Sequence, residues 1–256
     1  MSYAMALSDI TLATRLRGIS LHLHAGVCTH ILGANGAGKS SLLLILAGLC
    51  KADSGAFLLD GKTIAEFGLA ELAGFRGFHQ QQTHILFELT ARELFQFYAN
   101  RNAGDDYLPA ELEQALEVSH LLPRPLNQLS GGEQQRVNLC RAFLQVWSAV
   151  ERGRAVLIFD EPLQGLDIRH QHALLILCRR LSAAGNTIVL SCHDLQLSAQ
   201  YADQVVLLKK GKVVSAGAPL SVMTSAMLQQ VFDFPFEVKK YQGIMLISAG
   251  TYKETT

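Results

Sequence analysis

The stretch Gly33-Ala34-Asn35-Gly36-Ala37-Gly38-Lys39-Ser40 matches the phosphate-binding pattern GxxxxGK[ST] at every fixed position. Glycines let the backbone approach phosphate oxygens closely, so that successive N–H groups can point toward them. Lys39 can neutralise the β- and γ-phosphates of a nucleoside triphosphate, and the Ser40 hydroxyl can reach Mg²⁺. The stretch therefore predicts a nucleoside triphosphate site. The alternative is a glycine-rich turn between two buried elements, which has no need of a lysine.

The residues on either side predict the context that such a loop requires. Residues 27–32 are typical of a strand, and residues 39–50 predict a helix that is almost wholly apolar over residues 42–49. The N-terminus of that helix would contribute unpaired N–H groups and the positive end of the helix dipole. Strand, glycine loop and helix therefore follow one another in the order expected of an anion site.

Composition limits the classes of protein to consider. With 256 residues, 49% of them hydrophobic, the chain suits one large domain with a full core. Its 22 Lys and Arg balance 22 Asp and Glu, which argues against a basic surface for nucleic acid. The longest apolar run, residues 42–50, is shorter than the ~20 residues that span a bilayer. The N-terminus lacks a basic segment followed by a hydrophobic one, so we expect a soluble, non-exported protein.

Cysteines and histidines give little sign of a metal centre. The five cysteines form no CxxC pair, which is typical of a reducing cytoplasm. His22 with His24, and His170 with His172, have HxH spacing, but no third ligand accompanies either pair. We therefore expect these histidines to be packing or surface residues.

The order of the segments predicts an α/β fold with a parallel sheet. Strands at residues 155–159, 187–191 and 204–209 alternate with a helix at residues 168–184, a pattern that places helices on both faces of a parallel sheet. Alternating residues 5–23 predict an antiparallel β lead-in. We therefore predict one domain, residues 1–256.

A helical subdomain is predicted inside this domain. Residues 86–150 show helical spacing, with helices expected at residues 90–98, 109–122 and 133–150 and no convincing strand between them. We interpret residues 86–150 as an insertion into the parallel α/β core.

Two acidic residues end the most apolar of the predicted strands. Asp160 and Glu161 directly follow residues 156–159, and catalytic groups of open α/β sheets gather at such carboxyl ends. Asp160 could hold Mg²⁺, and Glu161 could polarise the water that attacks the γ-phosphate. His193, just after the strand 187–191, would lie at the same edge and could contact the γ-phosphate. The alternative is a strand that ends in a solvated acidic turn.

A second glycine-containing stretch, Leu129-Ser130-Gly131-Gly132-Glu133, opens a predicted helix. Ser130 and Glu133 have the S-x-x-E spacing of a capping box. A cap alone does not require two glycines in the first turn, where each weakens a helix by up to ~1 kcal/mol relative to alanine. Gly131 and Gly132 would instead expose N–H groups to a large anion.

With these motifs in this order, the whole chain resembles the ATP-binding cassette (ABC) ATPases. The resemblance implies a P-loop NTPase core of the RecA-like type, with ATP and Mg²⁺ as cofactors. By that resemblance residues 33–40 are the Walker A loop, Gln80 is the Q-loop glutamine and residues 129–133 are the signature. Asp160 is the Walker B aspartate and Glu161 the catalytic base. Asp167 is the D-loop aspartate and His193 the switch histidine.

The resemblance also assigns roles to individual residues. Glu161, His193 and Gln80 would be catalytic, and Ser40, Gln80 and Asp160 would surround the metal. Nucleotide would contact residues 33–41, which include Ser41, and also Ser130, Gly131 and Gly132.

Partners follow from the same resemblance. Two cassettes would pack head to tail, with each ATP between the Walker A loop of one and the signature of the other. Within the family the chain is most similar to ATPase subunits of bacterial vitamin B12 importers, in Thr14-Arg15-Leu16, Gln80-Gln81-Gln82-Thr83 and Met245-Leu246-Ile247-Ser248. Such a subunit serves a separate transmembrane permease and, indirectly, a periplasmic binding protein. It lies on the cytoplasmic face of the inner membrane, with no nucleic acid partner.

Alternatives remain open. ATPases of iron-siderophore, haem and zinc importers are very similar, and a non-transport regulatory ABC ATPase is a second class. The permease would dock between the Gln80 loop and the helical subdomain, near Phe87, Leu89 and Phe95.

Two positions depart from the family pattern. Ala13, Thr14 and Arg15 occupy the neighbourhood where an aromatic residue usually stacks on adenine. Residues 164–167 are Gln-Gly-Leu-Asp where Ser-Ala-Leu-Asp is common, although the leucine and the aspartate are kept.

Overall fold

The computed structural model describes residues 4–80, 89–99 and 108–250. Within them the strands, in chain order, are β1 Met5–Leu12, β2 Leu16–Leu23, β3 Cys28–Leu32, β4 Ser54–Leu59, β5 Lys62–Thr63, β6 Arg76–His79, β7 Val156–Phe159, β8 Thr187–Ser191, β9 Gln204–Lys209, β10 Lys212–Gly217, β11 Phe236–Tyr241 and β12 Ile244–Ala249. The α-helices are α1 Lys39–Leu46, α2 Leu69–Ala73, α3 Ala91–Tyr98, α4 Ala110–Leu116, α5 Gly131–Leu144, α6 Trp147–Glu151, α7 Ile168–Ala183, α8 Leu195–Tyr201, α9 Pro219–Val222 and α10 Ser225–Phe232. None of these helices is both long and apolar enough to cross a membrane.

The central sheet has six strands in the order β10-β9-β3-β8-β7-β6. Strands β9, β3, β8, β7 and β6 are parallel to one another, and β10 pairs antiparallel with β9 at one edge. Every residue of β3, β7 and β8 is buried. Strands buried on both faces are expected to be mostly apolar, which explains why these three could be predicted from the sequence.

The predicted antiparallel lead-in is confirmed. Strands β1 and β2 form a hairpin within a second, four-stranded sheet of order β2-β1-β4-β5. The predicted α/β class with a parallel core is likewise confirmed by the central sheet.

The last two strands of the described residues form a sheet of their own. Strands β11 and β12 form a two-stranded antiparallel sheet. Gln196 of α8 holds β12 in place, since its Nε2 donates to the Met245 carbonyl at 2.8 Å and its Oε1 accepts from the Ile247 N–H at 3.0 Å.

Two predicted helices are shorter than expected, each for a local reason. The helix predicted to reach residue 50 ends at Leu46, because Gly48 takes a left-handed conformation with φ of 66° just beyond the end. The helix predicted for residues 109–122 ends at Leu116, where Glu117 has φ of 47°. The Glu113 carboxylate then accepts from the N–H groups of Val118 and Ser119, both at 2.9 Å, and satisfies donors that the helix no longer pairs.

The long helix predicted for residues 133–150 is two helices, α5 and α6. Val146 between them has φ of −123°, which no helix accommodates. Helix α5 packs on the central sheet through Phe143, whose ring centroid lies 5.1 Å from that of Phe159 in β7. The inserted subdomain at residues 86–150 stays a prediction, since parts of it lie outside the described residues.

Candidate nucleotide site

The loop of residues 33–40 connects β3 to α1, as the motif predicts. A Cβ on Gly33 would lie 2.3 Å from the Leu208 carbonyl oxygen, and one on Gly38 would lie 2.8 Å from the Arg15 carbonyl oxygen. Neighbouring backbone therefore excludes side chains at both positions. At Gly36, by contrast, a Cβ would meet nothing within 4 Å, and glycine there supplies φ of 76°. Gly36 is accordingly the glycine of this loop that faces open space.

Lys39 is the first residue of α1, and its side chain turns back into the loop. Its Nζ donates to the carbonyl oxygens of Gly33 at 2.9 Å and Ala34 at 3.3 Å. Burial lowers the pKa of the Lys39 ammonium, whereas the carboxylates of Glu161 and Asp160 act in the opposite direction. Ser40 is exposed, and Ser41 next to it is buried. The ammonium is thus held where phosphate oxygens could replace the two carbonyls.

A polar pocket of about 490 Å³ opens beside the loop. It brings together four loop residues and three residues from the carboxyl edge of the sheet: Asn35, Gly36, Lys39, Ser40, Glu161, Gln164 and His193. The juxtaposition of the loop with Glu161 and His193 is the one expected from the sequence. Gln164 had been noted only as a departure from the family pattern.

Asp160 and Glu161 directly follow β7 and differ in their surroundings. Asp160 is 4% exposed, and its Oδ1 accepts from the Ser191 hydroxyl at 2.7 Å. Glu161 has φ of 50°, a left-handed conformation that costs a non-glycine residue of order 1–3 kcal/mol. Its N–H donates to the Ser191 Oγ at 2.7 Å. One hydroxyl therefore contacts both the Asp160 carboxylate and the Glu161 backbone, and no motif in the sequence predicted it.

His193 contacts Glu161 directly. The distance between His193 Nε2 and Glu161 Oε1 is 2.5 Å, and the imidazole is about half exposed. The side chain of Glu161 is 14% exposed. An imidazole at this distance can fix the orientation of the carboxylate and can exchange a proton with it.

Gln80 lies at the same edge, directly after β6. The Asp160 N–H donates to the His79 carbonyl at 2.9 Å, which sets the ends of β6 and β7 side by side. Gln135 of α5 joins these ends, since its Nε2 donates to the Pro162 carbonyl at 3.0 Å and lies 3.2 Å from His79 Nε2. Burial lowers the pKa of His79 to about 3, so the ring is neutral. Gln135 was not predicted as a site residue, although it lies two positions after the signature.

The signature residues begin α5 as the spacing predicted. The Ser130 N–H donates to Glu133 Oε2 at 2.7 Å, and the Glu133 N–H donates to Ser130 Oγ at 3.4 Å, which completes a capping box. Hydrogen bonds to the Glu133 carboxylate from the Ser130 backbone and side chain, together with the Arg124 guanidinium, lower the pKa of Glu133 to about 2. A Cβ on Gly132 would lie 2.7 Å from the Gly165 carbonyl oxygen, whereas one on Gly131 would meet nothing within 4 Å.

Ser130, Gly131 and Gly132 do not line the pocket beside Lys39. Asp167 is also outside it, where its carboxylate caps α7 by accepting from the His170 N–H at 2.8 Å. His170 and His172 have protein partners, because His170 Nδ1 lies 2.9 Å from Asp167 and His172 Nδ1 lies 2.7 Å from the Tyr201 hydroxyl.

The turn that lacks an aromatic residue lies beside the loop. The Arg15 carbonyl approaches both Gly38 and Gly211, and the Gly211 N–H donates to the Ala37 carbonyl at 2.9 Å. The Arg15 side chain is exposed. Without a stacked ring, nucleotide affinity would rest on phosphate and Mg²⁺ contacts, which are identical in ATP and GTP.

We therefore expect near-equal Michaelis constants for ATP and GTP in the wild type. Thr14→Tyr should lower the constant for ATP, because aromatic stacking adds roughly 1 to 3 kcal/mol per base in nucleic-acid sites. Arg15→Ala tests whether the guanidinium lies against the purine. A strong wild-type preference for ATP that Arg15→Ala leaves untouched would show that another residue recognises the base.

Two of the three residues expected near the permease lie in the described part of the chain. Phe87 lies outside the described residues. Leu89 is half-buried, whereas Phe95 is fully buried and belongs to the core, so docking near Leu89 stays a prediction. On the same helix Phe97 is 81% exposed.

Comparison with known proteins adds three findings. Residues 16–164 match the family profile described as "ABC transporter". The chain is 39% identical to the hemin import ATP-binding protein HmuV of Hahella chejuensis over 86% of this chain and 87% of that protein. It is 37% identical to the vitamin B12 import ATP-binding protein BtuD of Yersinia enterocolitica, over 93% and 94% of the two chains.

Solved structures share the fold. A dimeric ATP-binding cassette in a post-hydrolysis state, bound to ADP and phosphate, superposes with a TM-score of 0.72 at 25% identity, over 84% of this chain and 98% of that one. An inward-facing putative metal-chelate type ABC transporter gives a TM-score of 0.74 at 21% identity, over 99% of both chains.

Proposed function

Because this chain belongs to the ABC transporter family and is an ATPase of the ABC type, we propose that it is the ATP-hydrolysing subunit of an importer. The observation that carries the chemistry is the Glu161–His193 pair, which faces Lys39 and Ser40 across one pocket. Glu161 takes the proton of the attacking water, and His193 holds the carboxylate and contacts the γ-phosphate. Lys39 and the loop N–H groups bind the triphosphate.

Mg²⁺ fits the side chains at the edge of this site. Hard divalent cations take oxygen ligands, and Ser40, Asp160 and Gln80 each offer one. In Asp160, Oδ1 is engaged by the Ser191 hydroxyl, which leaves Oδ2 for the metal or its water shell. The ion would neutralise charge on the β- and γ-phosphates.

Lys39→Ala should weaken ATP binding by about 10- to 100-fold, because it removes a charged hydrogen-bond donor worth about 1.5 to 3 kcal/mol. Titration with a fluorescent ATP analogue measures the change. Lys51→Ala, which removes an exposed lysine beyond the end of α1, is the control and should bind like the wild type. Unchanged affinity in Lys39→Ala would remove this residue from the site.

We propose that two copies of the chain assemble head to tail. The exclusion of Ser130, Gly131 and Gly132 from the pocket supports this proposal, since these residues remain available to a partner's nucleotide. The related cassette that was solved with ADP and phosphate is likewise dimeric. The dimer would attach to a separate permease on the cytoplasmic face of the inner membrane, with a periplasmic binding protein delivering the substrate.

The substrate that we propose is vitamin B12. The similarity to BtuD over 93% of the chain supports it, as do the subgroup residues that include Thr14-Arg15-Leu16. Hemin is the second candidate, because HmuV of Hahella chejuensis is 39% identical.

Purification with the permease encoded nearby, followed by ATPase assays with loaded binding proteins, distinguishes the two. Stimulation by the vitamin B12-loaded protein alone supports the first candidate, and stimulation by the hemin-loaded protein alone supports the second. If no neighbouring permease binds the chain, the non-transport ABC ATPase becomes the better assignment.

A further inference from the structure

We propose that Ser191 is a positioning residue for hydrolysis, whose hydroxyl sets the spacing between Asp160 and Glu161. The inference rests on the roles proposed above for these two carboxylates. Ser191 itself would contact neither nucleotide nor water. It would act by forming hydrogen bonds with both the Asp160 carboxylate, which would face the metal, and the backbone of Glu161, the proposed base.

The chemistry of a hydroxyl group matches the two contacts. Serine has one proton to donate and lone pairs with which to accept. Its proton goes to Asp160 Oδ1, and its oxygen accepts the Glu161 N–H, both at 2.7 Å. Donation to a carboxylate makes the first of these the stronger hydrogen bond. One side chain thereby satisfies an acceptor and a donor in adjacent residues.

Burial makes the hydroxyl hard to replace. Ser191 is 0% exposed and Asp160 is 4% exposed, so bulk water does not reach the space between them. Removal of a buried partner leaves the other group without its hydrogen bond, which costs more than an exposed hydrogen bond would. The position therefore requires a small side chain with a hydroxyl group.

The Ser191 hydroxyl also restrains the backbone of Glu161. With φ of 50°, Glu161 holds a left-handed conformation that persists only when neighbours restrain it. On the carbonyl side, the Gln164 N–H donates to the Glu161 oxygen at 3.2 Å. On the N–H side, Ser191 accepts at 2.7 Å. Loss of the second restraint would let the carboxylate move away from its contact with His193.

The position of Ser191 in the chain links it to the third reacting group. It is the last residue of β8, which pairs with β7, and His193 follows two positions later. The end of β8 therefore places the Ser191 hydroxyl in contact with Asp160 and Glu161, and the His193 imidazole beside the Glu161 carboxylate.

The test compares Ser191→Ala with Ser182→Ala, a matched control. Ser182 is also 0% exposed, but its hydroxyl donates to the Arg179 carbonyl near the far end of α7. We expect Ser191→Ala to lower kcat by 10- to 100-fold, the usual range for residues that orient a metal site, while the KM for ATP changes by less than threefold. Ser182→Ala should retain wild-type kcat. Ser191→Thr, which restores the hydroxyl, should recover most of the lost rate.

A second readout does not depend on turnover. In the Glu161→Gln background with ATP present, Mn²⁺ affinity measured by electron paramagnetic resonance should fall at least threefold on adding Ser191→Ala. If Ser191→Ala does not fold, Ser191→Cys, with its weaker donor, should still lower kcat about tenfold. A kcat within twofold of wild type in whichever of the two variants folds, or an equal loss in Ser182→Ala, would overturn the inference.

The same series separates this inference from the proposed function. If Glu161→Gln alone hydrolyses ATP at the wild-type rate, the proposed roles of the carboxylates fail. If Glu161→Gln is inactive and Ser191→Ala is normal, only the positioning role fails.

Discussion

Glu161→Gln should bind ATP normally and hydrolyse it at least 100-fold more slowly than the wild type. The amide keeps the size of the side chain and can still contact His193, but it cannot take a proton from water. General base catalysis contributes typically 10²- to 10⁴-fold, which sets the expected loss. Because binding and chemistry are separate steps, kcat should fall while nucleotide affinity is kept. Phosphate release under saturating ATP measures the first quantity, and equilibrium titration measures the second.

The variant should also accumulate as an ATP-bound dimer, because hydrolysis is the step that would reopen it. Light scattering after gel filtration, with and without ATP, detects the change in mass. Glu151→Gln makes the same chemical change at an exposed position at the end of α6 and should behave as wild type. Wild-type turnover by Glu161→Gln would show that another group acts as the base.

Ser130→Arg should abolish hydrolysis without preventing ATP from binding to a single chain. Ser130 is exposed at the start of α5 and does not line the pocket beside Lys39, so a large side chain there leaves the chain's own loop intact. In a head-to-tail dimer the same side chain would enter the space of the partner's triphosphate. Steady-state phosphate release should fall to background, while titration with ATP should give the wild-type affinity.

Ser130→Ala controls for loss of the helix cap. Removing an N-cap hydroxyl costs about 0.5 to 2 kcal/mol of stability, so this variant should have a lower Tm but measurable activity. Equal inactivity in Ser130→Ala and Ser130→Arg would point to misfolding of α5.

Mixing Ser130→Arg with Lys39→Ala chains tests the head-to-tail arrangement. A mixed dimer would contain one site with an intact Lys39 and an intact Ser130, and one site in which both are altered. With differently tagged chains, the mixture should give ATP-dependent mixed dimers and single-turnover hydrolysis that neither variant shows alone. Absence of any mixed dimer would remove the main support for a composite site.

The parts of the fold that were predicted correctly share a physical cause. Strands β3, β7 and β8 are buried on both faces, and such strands are mostly apolar. Strand β11 escaped prediction because four of its six residues are exposed, among them Lys239 and Lys240, which hides its pairing with β12. A buried strand can be predicted from its apolar residues, whereas an exposed hairpin has no such pattern.

The predicted helix ends failed for a different reason. Glu117, which ends α4, takes a left-handed conformation that is accompanied by a local and a distant contact: the Glu113 carboxylate accepts from the next two N–H groups, and the Arg169 side chain pairs with Glu117. Propensity alone does not predict a left-handed glutamate.

The site residues also divide into those that could be predicted from the sequence and those that could not. Lys39 belongs to a motif with fixed spacing, Glu161 and His193 each follow a predicted strand, and the structure places all three around one pocket. Ser191 and Gln135 are common residue types whose roles depend on which strand ends lie side by side. Their contacts with Asp160, Glu161 and Pro162 join residues that are up to 31 positions apart in sequence.

The most direct measurement is uptake of labelled vitamin B12 into vesicles that hold the permease, this chain and the substrate-binding protein. Uptake should require ATP on the side of the membrane where this chain is bound, and replacing the chain with Glu161→Gln should reduce it to background. Uptake at the same rate without ATP, or with Glu161→Gln in place of the wild type, would contradict the proposal that hydrolysis at this site drives import.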